Sequence, residues 1–550
     1  MLDSFTDYYS SYLDATYDCV DRIVLNAYFP MGCSPPAFRT WWRQLKGSDE
    51  HLDNEHLMRL AGRMSRRVHA YANSNKIPVR KCSAGERKHE IAEQYLPTDP
   101  NFVGMFLILV GRAPAVVYDI QRSKGNGKII NIAKKKPLPY VNHYSFHIID
   151  PDWGHITIKI CGHPPFHAQI MLNGHEYVER KARKAGIEFT KDGNCFTDIT
   201  DAHHLGLVAD ALSHHHGAIG RLTEVCERWI YSCCLCFALD LTEQQQSGFH
   251  YRFSVFQAEY SRNLLFARGR EMEQVFNGVI THTRTELDVK RLKTIFGNRK
   301  RPSQKRRKKP RLELVIERPT YDLTVFKIHF DAITVKFYTK GERLLRAEAI
   351  IHNTKALRCR RSLSNFAVII AHLKEVLNRF LDAVSCIDFS SIDDGRFDEL
   401  PKPSQTGQTP VGGIDINKPR SRLVMEAIIS LAPKPHGFTA AELATSVRAR
   451  DPIGHENYTS RKASYDLKKF RLKKLIHKIK NTRKYEPIPE GLRAMVALLV
   501  LQNKIVKPIL AGVVKPKPGP IPKNQPPVNK HYQTIQLEMK KLFNTMGIAA

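Results

Sequence analysis

Apolar and polar residues alternate with a period of two in some stretches of the chain and with a helical period in others. Period-two alternation predicts strands at 142–150, 155–160, 312–318, 323–330, 333–338 and 344–352. Apolar or short extended runs predict further strands at 21–28, 77–80, 105–119 (with a break at 111–114) and 169–172. Helical spacing predicts helices at 37–45, 56–73, 86–95, 219–240, 248–276, 366–384 and 420–431, and from residue 175. The mixture predicts an α/β and α+β multidomain protein with an N-terminal α/β layer and a central mixed sheet.

In the segment 438–489, helix caps, periodicity and charge all predict the same elements, two helices followed by a basic hairpin. Thr439 and Glu442 have the spacing of a capping box, and Thr459 offers a second helix cap. The helix predicted over 460–475 contains one acid, Asp466, and many cations. These cations are Arg461, Lys462, Lys468, Lys469, Arg471, Lys473 and Lys474. Alternation around a turn at 481–482 then predicts a basic hairpin.

Helices followed by a basic hairpin resemble winged-helix DNA-binding domains. The resemblance implies that a helix enters the major groove while the hairpin lies along the backbone or minor groove. The residues predicted to contact nucleic acid are these helix cations together with Ser464, Lys478, Lys480, Arg483 and Lys484. A helical bundle with a solvated charged face is the alternative, but such a face normally mixes both signs of charge.

Length and composition shifts predict eight segments. A chain of 550 residues exceeds what one core supports, so several domains are expected. The predicted segments are an N-terminal α/β domain (1–136), a His-rich hairpin and helix region (137–218), a helical region (219–298), a basic linker (299–311), an antiparallel sheet with a helix (312–400), a second linker (401–419), the winged-helix domain (420–512), and a basic Pro-rich tail with a terminal helix (513–550).

Net charge points to a polyanionic partner. The chain has 85 Lys and Arg against 54 Asp and Glu, a formal charge of +31. Cations without any acid are concentrated in the segment 299–311, which is predicted to track phosphates as a flexible linker. They include Arg299, Lys300, Arg301, Lys305, Arg306, Arg307, Lys308 and Lys309. DNA is the predicted partner, and structured RNA is the alternative.

Histidines and acids are dense between residues 143 and 179. His163, His175 and Glu176 are the candidates there for a metal or acid/base site, with Mg²⁺ or Mn²⁺ as the candidate metal. None of these histidines has the short fixed spacing of a metal motif, so structural roles are the alternative reading. A later hairpin adds Tyr338 and Glu348 as candidates.

The hairpin around Tyr338 resembles strands of rolling-circle replication initiators. That resemblance implies a tyrosine nucleophile and a metal, although the His-hydrophobic-His motif of those enzymes is absent. Five blocks also resemble a group of uncharacterised, mobile-element-like bacterial proteins. The blocks are HYSFH at 143–147, LNGHE at 172–176, YTKG at 338–341, LRAE at 345–348 and YDLKKFR at 465–471.

Three functions follow from these patterns. The first is a DNA-binding mobile-element or replication-initiator-like factor, the second a metal-dependent nuclease or nickase, and the third an RNA-binding scaffold of a ribonucleoprotein. The N-terminus lacks a basic region followed by an apolar stretch, and no apolar run has membrane-spanning length. With an odd count of 11 cysteines, this predicts a cytoplasmic protein with reduced thiols and no membrane partner.

Overall fold

The computed structural model describes residues 3–83, 85–286, 313–317, 325–330, 332–388, 398–407, 409–432, 434, 437–451, 454–480, 482–507, 531–535, 537–538 and 541. The basic linker at 299–311 lies outside the described residues, as does most of the segment 513–550. The linker cations therefore stay a prediction.

Twenty strands are formed within the described residues. They are β1 (Leu13–Tyr28), β2 (Val79–Lys81), β3 (Gly104–Pro114), β4 (Tyr118–Arg122), β5 (Ile129–Lys134), β6 (Tyr140–Asp150), β7 (Gly154–Cys161), β8 (Ala168–Asn173), β9 (Thr190–Asp192), β10 (Cys195–Thr197), β11 (Arg252–Phe266), β12 (Glu313–Glu317), β13 (Val325–Phe330), β14 (Ile333–Lys340), β15 (Leu344–Ile351), β16 (Ser404–Thr406), β17 (Thr409–Val411), β18 (Phe438–Thr439), β19 (Ile476–Lys478) and β20 (Lys484–Pro487).

Eleven strands form one sheet, in the order β12-β13-β14-β15-β11-β1-β8-β7-β6-β3-β2. The pair β2 and β3 is parallel, whereas every other neighbouring pair is antiparallel. The prediction of a mixed α/β protein with a large central mixed sheet is confirmed. Strand β3 precedes residue 136 and β6 follows it, yet the two strands pair with each other. The sheet therefore continues across the domain boundary predicted at residue 136.

The helices of the described residues are named here by their bounds. They are Ser4–Tyr8, Pro35–Lys46, Asn54–Ser74, Lys88–Glu93, Gly174–Lys184, Ala202–Ala211, His215–Trp229, Leu241–Gln246, Gly269–Glu286, Phe366–Asp388, Pro419–Leu431, Ala440–Arg450, Ser460–Leu472 and Pro489–Val500. Among them, none combines the length and apolarity needed to cross a bilayer.

The chain divides into two compact units. The sheet unit contains residues 12–273 and the described part of 292–377. The C-terminal unit contains the described residues of 1–11, 274–291 and 378–550. Each unit has its own buried apolar residues, and the sheet unit holds the whole eleven-stranded sheet.

The C-terminal unit has a core of its own, built from helices and a small sheet. Val424, Leu443, Leu467 and Met495 lie in it, one from each of four helices between 419 and 500. The sheet has the order β18-β20-β19, and the hairpin predicted around residues 481–482 is formed by β19 and β20. Both predicted caps are confirmed, since Thr439 makes a capping box with Glu442 and Thr459 accepts a hydrogen bond from the Lys462 N–H.

The predicted helix over 248–276 is wrong in its central part. Residues Arg252–Phe266 form β11, which pairs with β1 on one side and β15 on the other. A strand with partners on both edges and cover on both faces loses the clean alternation of a half-exposed strand.

Candidate functional site

Polar side chains converge on one face of the central strands. Ser261 on β11 lies opposite Glu348 on β15 and opposite Cys19 on β1. One row further, Asn263 lies opposite Arg346, which in turn lies opposite Tyr338 on β14. Since successive side chains of a strand point to opposite faces, residues spaced by two share this side of the sheet.

A bulge in β1 places the carboxylate of Asp21 at the centre of this face. The pairing between β1 and β11 shifts register between Val20 and Ile23, so β1 has one extra residue there. Such bulges redirect side chains. The adjacent Asp21 is only 4% exposed, contacts the Arg346 guanidinium, and accepts a hydrogen bond from Ser261 Oγ at 3.0 Å.

Arg346 is fully buried and its guanidinium is held by several acceptors. Besides Asp21 it donates to Ser261 Oγ at 3.2 Å and to the Asn194 carbonyl at 3.1 Å. Although burial alone would raise the pKa of Asp21, the charges of Arg346 and then His175 hold that pKa well below its usual range. The pair is therefore a buried ion pair, which must keep both partners because either charge alone would be buried without compensation.

His175 reaches Asp21 because its helix begins against the backbone of β1. At Gly174, the first residue of helix Gly174–Lys184, a Cβ atom would lie 1.8 Å from the Val20 carbonyl oxygen, so only glycine permits this approach. Asn173 caps the helix by accepting the His175 N–H at 3.0 Å. These contacts bring His175 Nδ1 to 2.7 Å from Asp21 Oδ1.

The His175 imidazole is fully buried and incompletely bonded. Its Nδ1 contact to Asp21 lacks hydrogen-bond alignment, and within the described residues Nε2 has no hydrogen-bond partner. Burial lowers the pKa of His175, and the Asp21 charge opposes that shift without reversing it. The ring is therefore neutral near pH 7, which leaves an unprotonated nitrogen able to accept a proton or bind a metal.

Within the described residues, one group has ligand atoms close enough for a metal. One atom each from Cys19, Asp21 and His175 lies within 4.8 Å of the others. A thiolate and an imidazole with a single carboxylate suit Zn²⁺ better than the predicted Mg²⁺ or Mn²⁺, which prefer oxygen ligands. However, Asp21 is already neutralised by Arg346, so an ionic role explains that carboxylate without a metal.

Glu348 and Tyr338 lie beside this cluster. Glu348 is 4% exposed and accepts a hydrogen bond from Lys336 Nζ at 2.5 Å. Burial, and then the charge of Glu348, raise the pKa of the neighbouring Glu259 to about 7. Burial also raises the pKa of Tyr338, which makes its phenol a poor nucleophile at neutral pH.

The other predicted catalytic residues have separate partners. His163 is 4% exposed, and its Nδ1 lies 2.8 Å from the Pro164 carbonyl oxygen. Glu176 forms an ion pair with Lys191 at 2.6 Å instead of facing Asp21. The structure thus brings His175, Glu348 and Tyr338 to one sheet face and gives His163 and Glu176 other contacts.

Sequence reasoning missed the residues at the centre of this cluster. Asp21 and Arg346 both occupy largely buried strands, and a charged residue inside a buried strand signals a buried ionic partner. Cys19, Ser261 and Glu259 carried no such local signal. Their proximity depends on a strand order that joins the start of the chain to residues beyond 250.

The C-terminal unit contains a second candidate, a cationic surface on helix Ser460–Leu472 and the β19–β20 hairpin. Ala463, Leu467 and Phe470 are buried and fix the inner side of the helix. The opposite side carries Arg461 and, at helical spacing, further polar residues. These are Ser464, Tyr465, Lys468 and Arg471. We call the helix and hairpin together the basic surface.

Both acids of the basic surface are turned inward. Asp466 is 4% exposed, accepts the Tyr458 hydroxyl at 2.6 Å and pairs with Arg420 at 2.9 Å. Glu486 pairs with Arg379 and lies 2.7 Å from His477 Nε2. Their negative charge is therefore neutralised from within the C-terminal unit.

Most cations of the basic surface have no acidic partner. Within the described residues, no ion pair is formed by Arg461, Lys462, Lys468, Arg471, Lys474, Lys478, Lys480 or Arg483. Seven of these eight side chains are exposed, at the helix start, at its end and in the hairpin: Arg461, Lys462, Arg471, Lys474, Lys478, Lys480 and Arg483. Lys469 and Lys473 are half-buried; Lys469 lies 4.9 Å over the Tyr465 ring, and Lys473 donates to the Glu399 carbonyl at 2.5 Å.

Comparison of the chain with protein-family models, curated proteins and solved structures finds no match.

Proposed function

We propose that the protein binds duplex DNA through the basic surface of its C-terminal unit, in the manner of a winged helix. The observation that carries the proposal is the separation of charge: Asp466 and Glu486 are paired internally while the outward cations are left without acids. A stability role would pair these cations, whereas phosphate binding requires that they be available.

The shape of the basic surface favours DNA over RNA. An α-helix with its side chains is roughly 10–12 Å wide, and the major groove of B-DNA is about 12 Å wide. The major groove of an RNA duplex is too deep and narrow to admit a helix. Helix Ser460–Leu472 projects Arg461, Ser464 and Lys468 at spacings of three and four residues, so these side chains would face one groove together.

The hairpin extends the same surface along the sugar-phosphate backbone. The Ile479 N–H donates to the Lys484 carbonyl at 3.0 Å, which closes the β19–β20 hairpin. Lys478, Lys480 and Arg483 are exposed around that closure. Cations on both flanks of a groove-bound helix fix its register, while the few residues that reach base edges determine sequence preference.

The experiment is a salt titration of binding to a duplex of about 30 base pairs. Changing Arg461, Lys468 and Arg471 together to Ala should lower the slope of log affinity against log salt by about 2.7, because each lost phosphate contact removes about 0.9. The matched control changes Lys81, Lys124 and Lys128, three exposed lysines of the sheet unit, and removes the same charge.

Two results would overturn the proposal. One is a folded helix variant that keeps the affinity and salt slope of the unchanged protein. The other is tighter binding to a structured RNA hairpin than to any DNA duplex at equal salt, which would support an RNA scaffold instead.

A further inference from the structure

A polar cleft opens on the sheet unit. Its lining residues differ from the group of Cys19, Asp21, His175 and Arg346 and from the residues of the basic surface. It encloses about 1020 Å³. Its floor is formed by residues of β1, β6, β7, β8 and β11, and one wall by the segment 361–363. Its polar lining includes Asn26, His143, Lys159, Gln169, Arg252 and Arg361.

The charge of this polar cleft is one-sided. Lys159, Arg252 and Arg361 contribute three cations, and the described lining residues include no Asp or Glu. None of the three forms an ion pair within the part of the chain that the structure describes. A concave site lined by one sign of charge concentrates ions of the opposite sign.

Lys159 is the least exposed of these cations and has a second lysine, Lys88, nearby. Burial, followed by the charge of Lys88, lowers the pKa of Lys159. Lys88 is itself half-buried, and its ammonium donates to Ser145 Oγ at 3.2 Å. Two partly desolvated ammonium groups without a carboxylate repel one another, and a bound anion would remove that penalty.

Hydrogen bonds within the protein fix the orientation of several groups that line the cleft. The Val255 N–H donates to the Arg361 carbonyl at 2.8 Å, which fixes the backbone of Arg361 at the edge of the sheet. His143 Nδ1 lies 3.2 Å from the Val141 carbonyl, so that nitrogen carries the hydrogen and Nε2 is left as an acceptor. Gln169 Nε2 donates to Asn26 Oδ1 at 3.0 Å, which orients both amides on the floor.

We propose that the polar cleft binds a phosphate monoester of nucleotide size. Lys159 and Arg361 would hold the phosphate, since an ammonium and a planar guanidinium both bind phosphate oxygens, the latter through two parallel bonds. The volume is sufficient for a nucleotide, which fits sites of a few hundred to 1000 Å³. The ester belongs either to a free nucleotide or to the 5′ end of a nucleic-acid strand, because the recognised chemistry is the same.

The test is calorimetric titration of the full chain with AMP, adenosine, and a trinucleotide with either a 5′-phosphate or a 5′-hydroxyl. We expect AMP to bind and adenosine not to bind. Arg361→Gln and Lys159→Met should each weaken AMP binding about tenfold or more, the effect of losing one charged hydrogen bond. Since Arg361 is exposed, its variant should fold even if the Lys159 variant does not.

Two comparisons decide the source and the specificity of the site. Tighter binding of the 5′-phosphorylated trinucleotide than of AMP assigns the cleft to strand ends, and the reverse order assigns it to free nucleotides. Lys124→Gln, a charge-matched control on an exposed turn, should leave AMP affinity unchanged. Equal affinity for AMP and adenosine, absence of saturable AMP binding, or an unchanged AMP affinity in Arg361→Gln would overturn the proposal.

The outcome is independent of DNA binding by the C-terminal unit. The triple variant of Arg461, Lys468 and Arg471 keeps the cleft intact and should retain AMP affinity. Loss of duplex binding in that variant with AMP binding preserved separates the two sites. Failure of AMP binding in a protein that still binds duplex DNA would remove the cleft proposal alone.

Discussion

The Tyr458 hydroxyl donates a hydrogen bond to Asp466 Oδ2 over 2.6 Å, and this contact holds the only acid of helix Ser460–Leu472 inside the C-terminal unit. Burial, and then the charge of Asp466, raise the pKa of Tyr458 strongly, so the phenol stays a donor at every physiological pH. The same carboxylate also pairs with Arg420. The cationic character of the outer helix surface thus depends on two contacts made on its inner side.

Tyr458→Phe should lower the free energy of unfolding of the C-terminal unit by about 1–3 kcal/mol, because a buried charged acceptor loses a donor. Tyr465→Phe is the control, since Tyr465 is 45% exposed and its ring can keep the contact with Lys469. Urea denaturation followed by circular dichroism measures both. Equal midpoints for the two variants would contradict the structural role given to Tyr458.

Gly174→Ala should destabilise the sheet unit by several kcal/mol, because the new methyl group would overlap the Val20 carbonyl and displace His175 from Asp21. Gly206→Ala is its match: Gly206 is also a helical glycine, and a Cβ there meets no atom within 4 Å. The second change should be neutral or stabilising, by up to roughly 1 kcal/mol. Thermal unfolding of both variants tests the pair, and similar melting temperatures would show that the helix start can move away from β1.

Acidification should destabilise the sheet unit through its buried histidines. Burial, followed by the charge of Lys159, lowers the pKa of His143 to about 4, below the roughly 6.5 of an unfolded histidine. The unfolded chain therefore takes up the proton first, and stability present above pH 6.5 is lost as the pH falls toward 4. One such histidine contributes about 1.5 kcal/mol of loss between pH 6.5 and 5. Denaturation of His143→Gln over that range should show a shallower decline, whereas His89→Gln, at an exposed position, should follow the unchanged protein.

Glu259→Gln should stabilise the protein more at pH 8 than at pH 5.5. Since the pKa of Glu259 is raised to about 7, above its unfolded value of roughly 4.3, the unfolded chain loses this proton first, and the stability of the folded state declines as the pH rises from about 4.3 to 7. Above that pH, Glu259 and Glu348 repel each other. The gain at pH 8 should exceed the gain at pH 5.5 by about 2 kcal/mol. Melting temperatures at the two pH values measure it, and an equal shift at both would remove the carboxylate pair as the cause.

Most of the secondary structure could be predicted from local sequence patterns. The hairpin β6–β7 is an example: Ile156, Ile158 and Ile160 are buried on one face, as their alternation predicted, and Lys159 lies on the other. Thr439 and Thr459 likewise marked their helix starts, because capping is decided within four residues. The failure at β11 has the opposite cause, since its pairing with β1 and β15 overrides local preference.

The candidate site was predictable only in part for the same reason. His175, Glu348 and Tyr338 were recognised by residue type, but Asp21 and Arg346 meet only because β1 and β15 flank β11. Asp21 and Arg346 are too far apart in the sequence for any local pattern to include both of them. The basic surface was easier to predict, since its cations fall within one contiguous stretch and only the inward pairing of Asp466 and Glu486 required coordinates.

The central position of β1 also has a consequence for synthesis on the ribosome. Tyr28 pairs with Arg252, so one edge of this 16-residue strand finds its partner only after more than 200 further residues have been translated. At roughly 5–20 residues per second, that interval is on the order of ten seconds or more. A long strand with an open edge can pair with other chains. Until β11 leaves the exit tunnel, this edge of β1 in the nascent polypeptide therefore lacks the partner that covers it in the folded protein.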